Sequence, residues 1–319
     1  MEETNKLVSI IIPNYNRAHL ITETLDSIKA QDYPDWECII IDDHSTDDSI
    51  LVIQRYIAVD ERFSLIKRPD NRPKGACACR NYGFELSKGH YVQWFDSDDL
   101  MLSDHVSNLV EAIEENNVDF AVGDTLNFTA ENNFTGKPYE FNRESAVIDA
   151  RNYGKQAIGW ITDDFLGKRK ILKNLEFNEK FQTDGDEYNF FTRLLHENRN
   201  GIFVNRILTF RRIHEQTLSR NNENSQLNFY KKISTIKYLT FLDIEKYGDK
   251  ELLCWFLSGY MQYSFKIGLS KEIPPFFDRS FFKIRKYFSS YKAFSFIISV
   301  TSAKYAGRGY MFLKKAIQY

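Results

Sequence analysis

The sequence contains no CxxC pair, no signal peptide before its first apolar run and no long hydrophobic segment. Its four cysteines show no zinc-binding pattern, and we expect a reducing, cytoplasmic setting. The longest candidate membrane segment, Ala293 to Ala303, is shorter than the roughly 18 apolar residues of a spanning helix. We therefore expect a protein that does not cross a bilayer.

The chain as a whole also lacks an excess of charge of one sign, because its net charge is only −2. The distribution is uneven, since residues 266–319 carry eleven Lys or Arg and two acids. Hydrophobic residues make up 43% of the chain and charged residues 27%, which is typical of a folded globular protein. A length of 319 residues allows one large domain with an appendage.

Short apolar runs alternate with helix-like segments in the first hundred residues. The predicted strands are Leu7–Ile12, Trp36–Ile41 and Tyr91–Phe95, and the predicted helices are Ala18–Ala30, Asp47–Ala58 and Gly75–Leu86. This alternation predicts an α/β fold with a mainly parallel, Rossmann-like sheet flanked by helices. Ligands of such sheets bind beyond the carboxyl ends of the strands.

Glycine is absent from residues 13–18, directly after the first predicted strand. A dinucleotide-binding domain needs glycines at this turn, so a dehydrogenase is disfavoured. Polar clusters follow the strands instead, and we expect them to converge on one edge of the sheet. They are Pro13-Asn-Tyr-Asn-Arg17, Asp42-Asp43 and Asp96-Ser97-Asp98-Asp99.

The cluster from Asp96 to Asp99 is the strongest chemical signal. Crowded carboxylates repel one another unless a cation or hydrogen-bond donors compensate, and hard oxygen ligands suit Mg²⁺ or Mn²⁺. The structural alternative is an acidic helix start capped by Ser97 or Asp99. The pair Asp42-Asp43 has a similar alternative, because Ser45 or Thr46 can cap the helix that follows.

Four ordered blocks together carry a family resemblance. They are Val8-Ser-Ile-Ile-Ile-Pro-Asn-Tyr-Asn-Arg17, Asp42-Asp-His-Ser-Thr-Asp47, Gly75-Ala-Cys-Ala-Cys-Arg-Asn-Tyr-Gly83 and Phe95-Asp-Ser-Asp-Asp99. In this order they resemble the signatures of glycosyltransferase family 2, whose members are inverting enzymes with the GT-A fold. His44 stands where the family commonly has glycine, and histidine tolerates the left-handed backbone that such a turn needs.

The resemblance implies roles on the nucleotide side. It implies that Asp98 is the principal ligand of a Mn²⁺ or Mg²⁺ ion and that Asp96 lies toward the ribose and the metal. His214, near the diphosphate, is a further candidate ligand, with a purely structural histidine as the alternative. The implied nucleotide-sugar contacts are Pro13, Tyr15, Arg17, Asp42, Asp43, Arg80, Asp96, Ser97 and His214.

A second acidic cluster begins at Asp184 and precedes an apolar, helix-like segment. The resemblance places the family's acidic pair on Asp186 and Glu187, and it implies that Glu187 is the general base. Asp186 is the substitute, because the family's usual order is Glu then Asp. The structural alternative is that these acids only complement the helix dipole.

The implied reaction is a single in-line displacement that moves a sugar from a nucleotide diphosphate to an acceptor hydroxyl and inverts the anomeric centre. By resemblance UDP is the expected nucleotide, with a GDP- or dTDP-sugar as the alternative donor. The expected acceptor is a glycan or lipid-linked glycan of a polysaccharide, lipopolysaccharide or capsule pathway. Trp160 and Asp163 are the candidate acceptor contacts, although a buried Trp is more often core. The rival hypotheses are a sugar-nucleotide nucleotidyltransferase and a non-catalytic binding protein.

The predicted organisation is a catalytic domain over residues 1–220, with a nucleotide-sugar half (1–124) and an acceptor half (125–220). A helical, basic and aromatic-rich region follows at 221–319. Its cations and aromatics predict peripheral attachment to the inner face of a membrane. The alternative is a subdomain that packs on the catalytic domain or on a second subunit of a homo-oligomer, and no nucleic-acid partner is expected.

Overall fold

The computed structural model describes residues 6–129, 133–181, 185–213 and 226–317. These residues form two compact units. The first contains the described residues up to Phe181 together with 194–213, and the second contains 185–193 together with 226–317. The predicted boundary at residue 220 lies outside the described residues, and the domain division stays a prediction.

Four parallel strands form the first part of the sheet of the first unit. They are β1 (Val8–Asn14), β2 (Trp36–Asp42), β3 (Phe63–Lys67) and β4 (Tyr91–Trp94). Their spatial order is β3-β2-β1-β4, with Val8 beside both Trp36 and Tyr91. The central strands bury apolar side chains on both faces, which explains their continuous apolar runs.

Three helices lie between these strands: α1 (Ile21–Lys29), α2 (Ser49–Ile57) and α3 (Ala76–Leu86). Helix α1 buries Leu25 and Ile28 in the main core. Helix α3 approaches β1 closely because Gly83 has no side chain, and a Cβ at this position would collide with the side chain of Ile11. This close packing holds the amino-terminal end of α3 near the carboxyl ends of β1 and β2.

The rest of the sheet is mixed. It consists of β5 (Leu100–Met101), β6 (Phe120–Phe128), β7 (Phe134–Gly136), β8 (Phe165–Lys168) and β9 (Gly201–Arg212). Strand β8 runs antiparallel between β4 and β6, and β6 pairs in parallel with β9. The pairing of β5 with β9 brings the end of β9 beside the acidic segment that follows β4. Helices α4 (His105–Glu115) and α5 (Ala150–Gly154) complete the connections.

The second unit is helical. It contains the first part of α6 (Asp186–Glu197), followed by α7 (Gln226–Ile244), α8 (Lys250–Leu269), α9 (Phe277–Tyr287), α10 (Ser290–Ala306) and α11 (Tyr310–Ile317). Aromatic rings dominate its packing, and the ring of Tyr238 lies 4.8 Å from that of Tyr260 and 4.9 Å from that of Phe276. Among the described helices, none combines the length and the hydrophobicity needed to cross a bilayer.

The predicted α/β class, with a mostly parallel sheet and a helical carboxyl-terminal region, is confirmed. The strands predicted at Leu7–Ile12, Trp36–Ile41 and Tyr91–Phe95 are β1, β2 and β4, with ends shifted by one or two residues. The sequence shows a less regular pattern from about Thr125 to Lys173, yet β6 lies partly and β8 wholly within this stretch.

Candidate active site

The carboxyl ends of β1 and β2 are joined through Asp42. Its Oδ1 accepts a hydrogen bond of 3.1 Å from the Asn14 side chain, and its Oδ2 accepts one of 2.9 Å from the backbone N–H of Ser45. Asp42 is almost completely buried. It therefore closes the turn after β2 next to Asp43. The alternative that Ser45 or Thr46 caps the following helix is wrong, because α2 begins at Ser49 after Asp48 and has no side-chain cap.

Asp43 lies in a second network, which includes a residue that sequence reasoning missed. Arg68 donates from Nε to Asp43 Oδ1 at 2.5 Å, and the backbone N–H of Gly75 donates to Oδ2 at 3.0 Å. The side chains of Arg68 and Asp43 are both buried. Arg68 directly follows β3, so the rule that singled out the ends of the other parallel strands also applies to it.

His44 adopts a left-handed backbone with φ of +62°, so the expectation that histidine tolerates this turn is confirmed. Its Nε2 lies 2.9 Å from the carbonyl oxygen of Arg68 and 3.3 Å from Asp70. The ring thus connects the turn after β2 to the segment after β3.

The polar segment after β1 reaches toward the acidic segment after β4. Arg17 Nε donates a hydrogen bond of 3.0 Å to Asp98 Oδ2. Tyr15 is 38% exposed, and the ammonium of Lys74 lies 3.7 Å from the centroid of its ring. Pro13 is buried at the end of β1. The structure therefore brings Arg17 and Asp98 together, with an accessible aromatic ring on the same segment as Arg17.

Arg80 is buried on α3, in contrast to the exposed helix arginine that its sequence context alone would suggest. Its Nη2 donates a hydrogen bond of 2.7 Å to Asp96 Oδ1, and its guanidinium lies 5.3 Å from the ring centroid of Phe177. Asp96 itself keeps 42% of its side chain exposed. Arg80 therefore holds one oxygen of an accessible carboxylate.

Three carboxylates form a compact cluster at this edge. One oxygen from each of Asp96, Asp99 and Asp163 lies within 4.8 Å of the others. Burial, reinforced by the charges of Asp98 and Asp96, raises the pKa of Asp99 well above its usual range. Burial and the charges of Asp96 and Asp99 do the same to the pKa of Asp163. The cluster thus concentrates negative charge that a cation or a proton must balance.

Backbone and side-chain donors fix the segment that carries these acids. Asp163 Oδ1 accepts a hydrogen bond of 3.1 Å from the backbone N–H of Asp96, and Asp99 Oδ1 accepts one of 2.7 Å from the backbone N–H of Arg212. The Arg212 side chain also donates to the carbonyl oxygen of Asp98 at 3.0 Å. Ser97 is buried within this segment. Strand β9 and the turn at Asp163 therefore hold the acidic motif from two sides.

Comparisons with known proteins agree with this geometry. The model of the family described as "Glycosyl transferase family 2" matches residues 9–176, which cover the ends of β1 to β4. The chain belongs to this family.

Two relatives and one solved structure illustrate the similarity. Escherichia coli WfaP, a "UDP-Glc:alpha-D-GlcNAc-diphosphoundecaprenol beta-1,3-glucosyltransferase", is 31% identical over 68% of this chain and 81% of its own length. The "Putative teichuronic acid biosynthesis glycosyltransferase TuaG" of Bacillus subtilis (strain 168) is 36% identical over 38% of this chain and 47% of its own length. The chain thus spans about half the length of TuaG.

The solved structure of S. aureus TarS residues 1–349 in complex with UDP-GlcNAc superposes with a TM-score of 0.64 and 18% identity, over 92% of this chain and 82% of that chain. The GT-A fold predicted from the sequence is therefore confirmed.

The donor set of this family 2 chain fits a divalent cation. Carboxylate oxygens are the ligands that Mg²⁺ and Mn²⁺ prefer, and here they are crowded at the end of a strand. Of the acids, Asp96 and Asp98 are the partly accessible ones, whereas Asp99 and Asp163 are almost completely buried. Asp96 is thus the accessible member of the cluster that could reach a nucleotide-bound ion. Asp98 lies outside this cluster and is bonded to Arg17, so its role as the principal metal ligand stays a prediction. His214 lies outside the described residues.

The two candidate acceptor residues have different surroundings. Trp160 is completely buried, and its ring lies 4.4 Å from that of Tyr153 and 5.8 Å from that of Phe203. Asp163, three residues after Trp160 in the chain, belongs to the acidic cluster. Their role in acceptor binding stays a prediction.

The two candidate bases lie in the second unit, at the start of α6. Asp186 is buried, and Glu187 is partly exposed. The next residues anchor this helix within the unit, because Lys237 donates to the hydroxyl of Tyr188 at 3.1 Å and Asn189 Nδ2 donates to Asp243 Oδ2 at 2.9 Å. Acids in a first helical turn also interact favourably with the helix dipole, which is the structural alternative for this pair.

Proposed function

We propose that this family 2 chain is an inverting glycosyltransferase that moves a hexosyl or N-acetylhexosaminyl group from a UDP-sugar to the hydroxyl of a lipid-linked glycan. The observation that carries the proposal is the cluster of Asp96, Asp99 and Asp163. Arg80 is bonded to Asp96, and Arg17 is bonded to the adjacent Asp98. The names of two similar proteins support the substrates, since WfaP uses UDP-glucose on a diphosphoundecaprenol-linked sugar and TarS was solved with UDP-GlcNAc.

On the donor side, Asp96 and Asp98 would hold Mn²⁺ or Mg²⁺, with His214 as a further candidate ligand. A bound divalent ion supplies charge neutralisation for the departing diphosphate. Arg17 and Arg80 add fixed positive charge beside these acids, which favours a group whose negative charge grows as the bond to the sugar breaks. Release of the nucleotide is thereby assisted without a covalent intermediate.

The nucleoside portion is assigned to the ends of β1 and β2. The side chains proposed to line this pocket are Pro13, Tyr15 and Asp43. Asp42 supports the turn beside them through its contacts with Asn14 and Ser45, and Ser97 is buried next to Asp96 in the chain. Tyr15 offers an accessible ring for a base, while the Arg68 contact holds Asp43 in one orientation. A base N–H or a ribose hydroxyl is the expected donor to an oxygen in this group.

The acceptor hydroxyl must lose a proton as it attacks. We assign this step to Glu187, with Asp186 as the substitute, because a carboxylate within hydrogen-bond reach is an effective general base. The proton leaves the acceptor oxygen as that oxygen forms its bond to the anomeric carbon, and the bond to the diphosphate breaks on the opposite side. One displacement of this kind inverts the anomeric configuration.

We also propose that the enzyme meets its acceptor as a peripheral protein at the cytoplasmic face of a membrane. Support comes from α10, where Tyr291, Phe294, Ile298 and Tyr305 are between 42% and 80% exposed and follow one side of the helix. The opposite side of α10 is buried at Phe296 and Val300. Exposed apolar side chains in a segment with eleven basic residues are typical of an interfacial surface.

The proposed reaction is tested by screening nucleotide sugars for thermal stabilisation with and without Mn²⁺, followed by NMR of the product's anomeric configuration. We expect a UDP-sugar to stabilise the protein more with Mn²⁺ and the product to be inverted. Stabilisation without hydrolysis or transfer would indicate a non-catalytic binding protein, and a retained configuration would contradict the single displacement.

A further inference from the structure

A cavity of about 430 Å³ lies in the first unit, against β6 and β9 and beneath the segment that follows β7. Its volume falls within the range of small-ligand pockets. None of the residues that line it has been assigned above to nucleotide binding or to the general base. The polar side chains that line it are Asp124, Lys137, Tyr139, Glu140, Arg143 and Asn205.

An ion-pair network with one unused donor group forms the floor of this cavity. Arg143 Nη2 donates to Asp124 Oδ1 at 2.8 Å, and Lys137 Nζ donates to Asp124 Oδ2 at 2.5 Å. The Arg143 side chain is only 5% exposed, yet its Nη1 has no hydrogen-bond acceptor among the described residues. A buried donor without an acceptor costs roughly 1 to 3 kcal/mol, so this nitrogen favours a ligand that brings an oxygen.

The arrangement around that nitrogen selects the class of ligand. Lys137 and Arg143 balance Asp124 and Glu140 in charge, so the cavity offers no net attraction to an anion. A sugar hydroxyl both accepts and donates hydrogen bonds, and it therefore serves a guanidinium and a carboxylate at once. Tyr139 and Phe141 also line the cavity, and an aromatic ring at a cavity wall offers apolar surface for the C–H face of a sugar.

We propose that this cavity is a subsite for a neutral sugar unit of the acceptor glycan, with Arg143 as its central hydrogen-bond donor. The proposal rests on the proposed transferase function. A path of direct contacts connects the cavity to the acidic cluster: Thr125, the residue after Asp124, donates to Asp164, the residue after Asp163. Adjacent residues of β6 and of the turn at Asp163 thus connect the cavity wall to the acidic cluster.

Saturation-transfer NMR tests the cavity without requiring any turnover. The probes are methyl β-glucopyranoside, the methyl glycoside of N-acetylglucosamine and methyl glucuronide. The blocking variant is Asn205→Trp, because Asn205 is exposed at the cavity wall and a larger ring there fills the space without disturbing the core. Its matched control is Arg206→Trp, since the neighbouring side chain contacts Asp104 and Asn108 instead.

We expect a neutral glycoside to bind the wild type and Arg206→Trp, and to lose its signal in Asn205→Trp and in Arg143→Leu. Three results would each overturn the proposal. The wild type could bind only the glucuronide, it could bind no glycoside at all, or Asn205→Trp could give the same signal as the wild type. Fold is checked by the melting temperature of each variant, and Asn205→Trp decides if Arg143→Leu unfolds.

Kinetics separates this proposal from the proposed function. Asn205→Trp should raise the KM for a glycoside acceptor by about tenfold or more, as expected for a lost hydrogen-bonding subsite, while hydrolysis of the UDP-sugar by water is unchanged. Hydrolysis with an unchanged acceptor KM would reject the subsite and leave the transferase function intact. Absence of UDP binding in the wild type would instead contradict the function itself.

Discussion

Asp163 Oδ1 accepts a hydrogen bond of 3.1 Å from the backbone N–H of Asp96, and this contact joins two segments that are 67 residues apart in the chain. It fixes the backbone at the first acid of the motif after β4. The carbonyl oxygen of Asp163 also accepts from the Gln93 side chain at 2.5 Å, so the turn is held at two points of the β4 region. Asp163 is therefore placed to position the donor site, whatever it contributes to acceptor binding.

This contact leads to a prediction about two substitutions at one position. Asp163→Ala removes the acceptor of the Asp96 N–H and should weaken binding of UDP with Mn²⁺ by about tenfold, whereas Asp163→Asn keeps an acceptor oxygen and should retain most of the affinity. Isothermal titration calorimetry measures both. An equal loss in the two variants would show that the negative charge of Asp163 matters, and that the hydrogen bond does not.

The acidic pair at the start of α6 gives a second prediction. Glu187→Gln preserves side-chain size but removes a base, so we expect kcat to fall by about 10² to 10⁴ with unchanged affinity for the donor. Steady-state kinetics and UDP calorimetry measure the two effects. Asp186→Asn is the matched variant. Loss of turnover in Asp186→Asn alone would show that Asp186, and not Glu187, is the general base.

Local sequence patterns predicted the strands of the parallel part of the sheet better than strands β6 and β8 of the mixed part. Strands β1, β2 and β4 are mostly apolar, with single polar residues such as Ser9 and Gln93, and are buried on both faces. Strand β6 instead carries Asp124 and Thr125 at its centre, where ion pairs and a side-chain hydrogen bond satisfy them. Those partners come from distant segments, so no local pattern reveals that these polar residues belong to a buried strand.

The candidate site shows the same limit. The ends of the strands pointed to Asp42-Asp43 and to the segment Asp96–Asp99 because each cluster directly follows an apolar run. The contacts of Arg80 with Asp96 and of Arg212 with Asp98 and Asp99 depend on helix and strand packing across 16 or more residues. Cavity residues such as Arg143 were missed because an ion pair on a buried face resembles an ordinary polar loop in the sequence.

A third prediction concerns Lys237 in the second unit. Its ammonium lies 3.7 Å from the ring centroid of Trp255 and 5.2 Å from that of Phe256, and burial lowers its pKa to about 7. In the unfolded chain the pKa is about 10.4, so between these values the unfolded chain binds more protons than the folded one. Stability therefore rises with pH across this window, by up to about 1.4 kcal/mol per pH unit.

Lys237→Met removes this titration while keeping the length of the side chain. Urea unfolding from pH 7 to pH 9.5 should show the wild type gaining stability relative to Lys237→Met as the pH rises. The exposed lysine variant Lys250→Met is the control and should follow the wild type. A constant difference between the wild type and Lys237→Met would show that the cation–π contact with Trp255 keeps Lys237 charged throughout.

The last prediction tests membrane attachment through the exposed apolar side chains of α9 and α10. Phe282, Phe294 and Ile298 are 68%, 59% and 42% exposed, and the Phe281 ring contacts that of Phe294 at 5.1 Å, which places α9 and α10 side by side. Replacing the three exposed residues with Ser should abolish flotation with anionic vesicles, because each inserted apolar side chain contributes roughly 1.5 to 3 kcal/mol on burial.

Flotation of the wild type should occur with anionic vesicles, fail with neutral ones and reverse in high salt, because each basic side chain near an anionic surface adds about 1 kcal/mol that salt screens. A matched triple Ser variant of the first unit, at Leu51, Val59 and Phe134, removes comparably exposed apolar residues and should float like the wild type. Equal flotation of the two variants would reject the surface on α9 and α10 as the anchor. The alternative result is that no protein floats, that light scattering shows a wild-type dimer, and that the triple variant of α9 and α10 is a monomer. This result would assign the surface to a second copy of the chain.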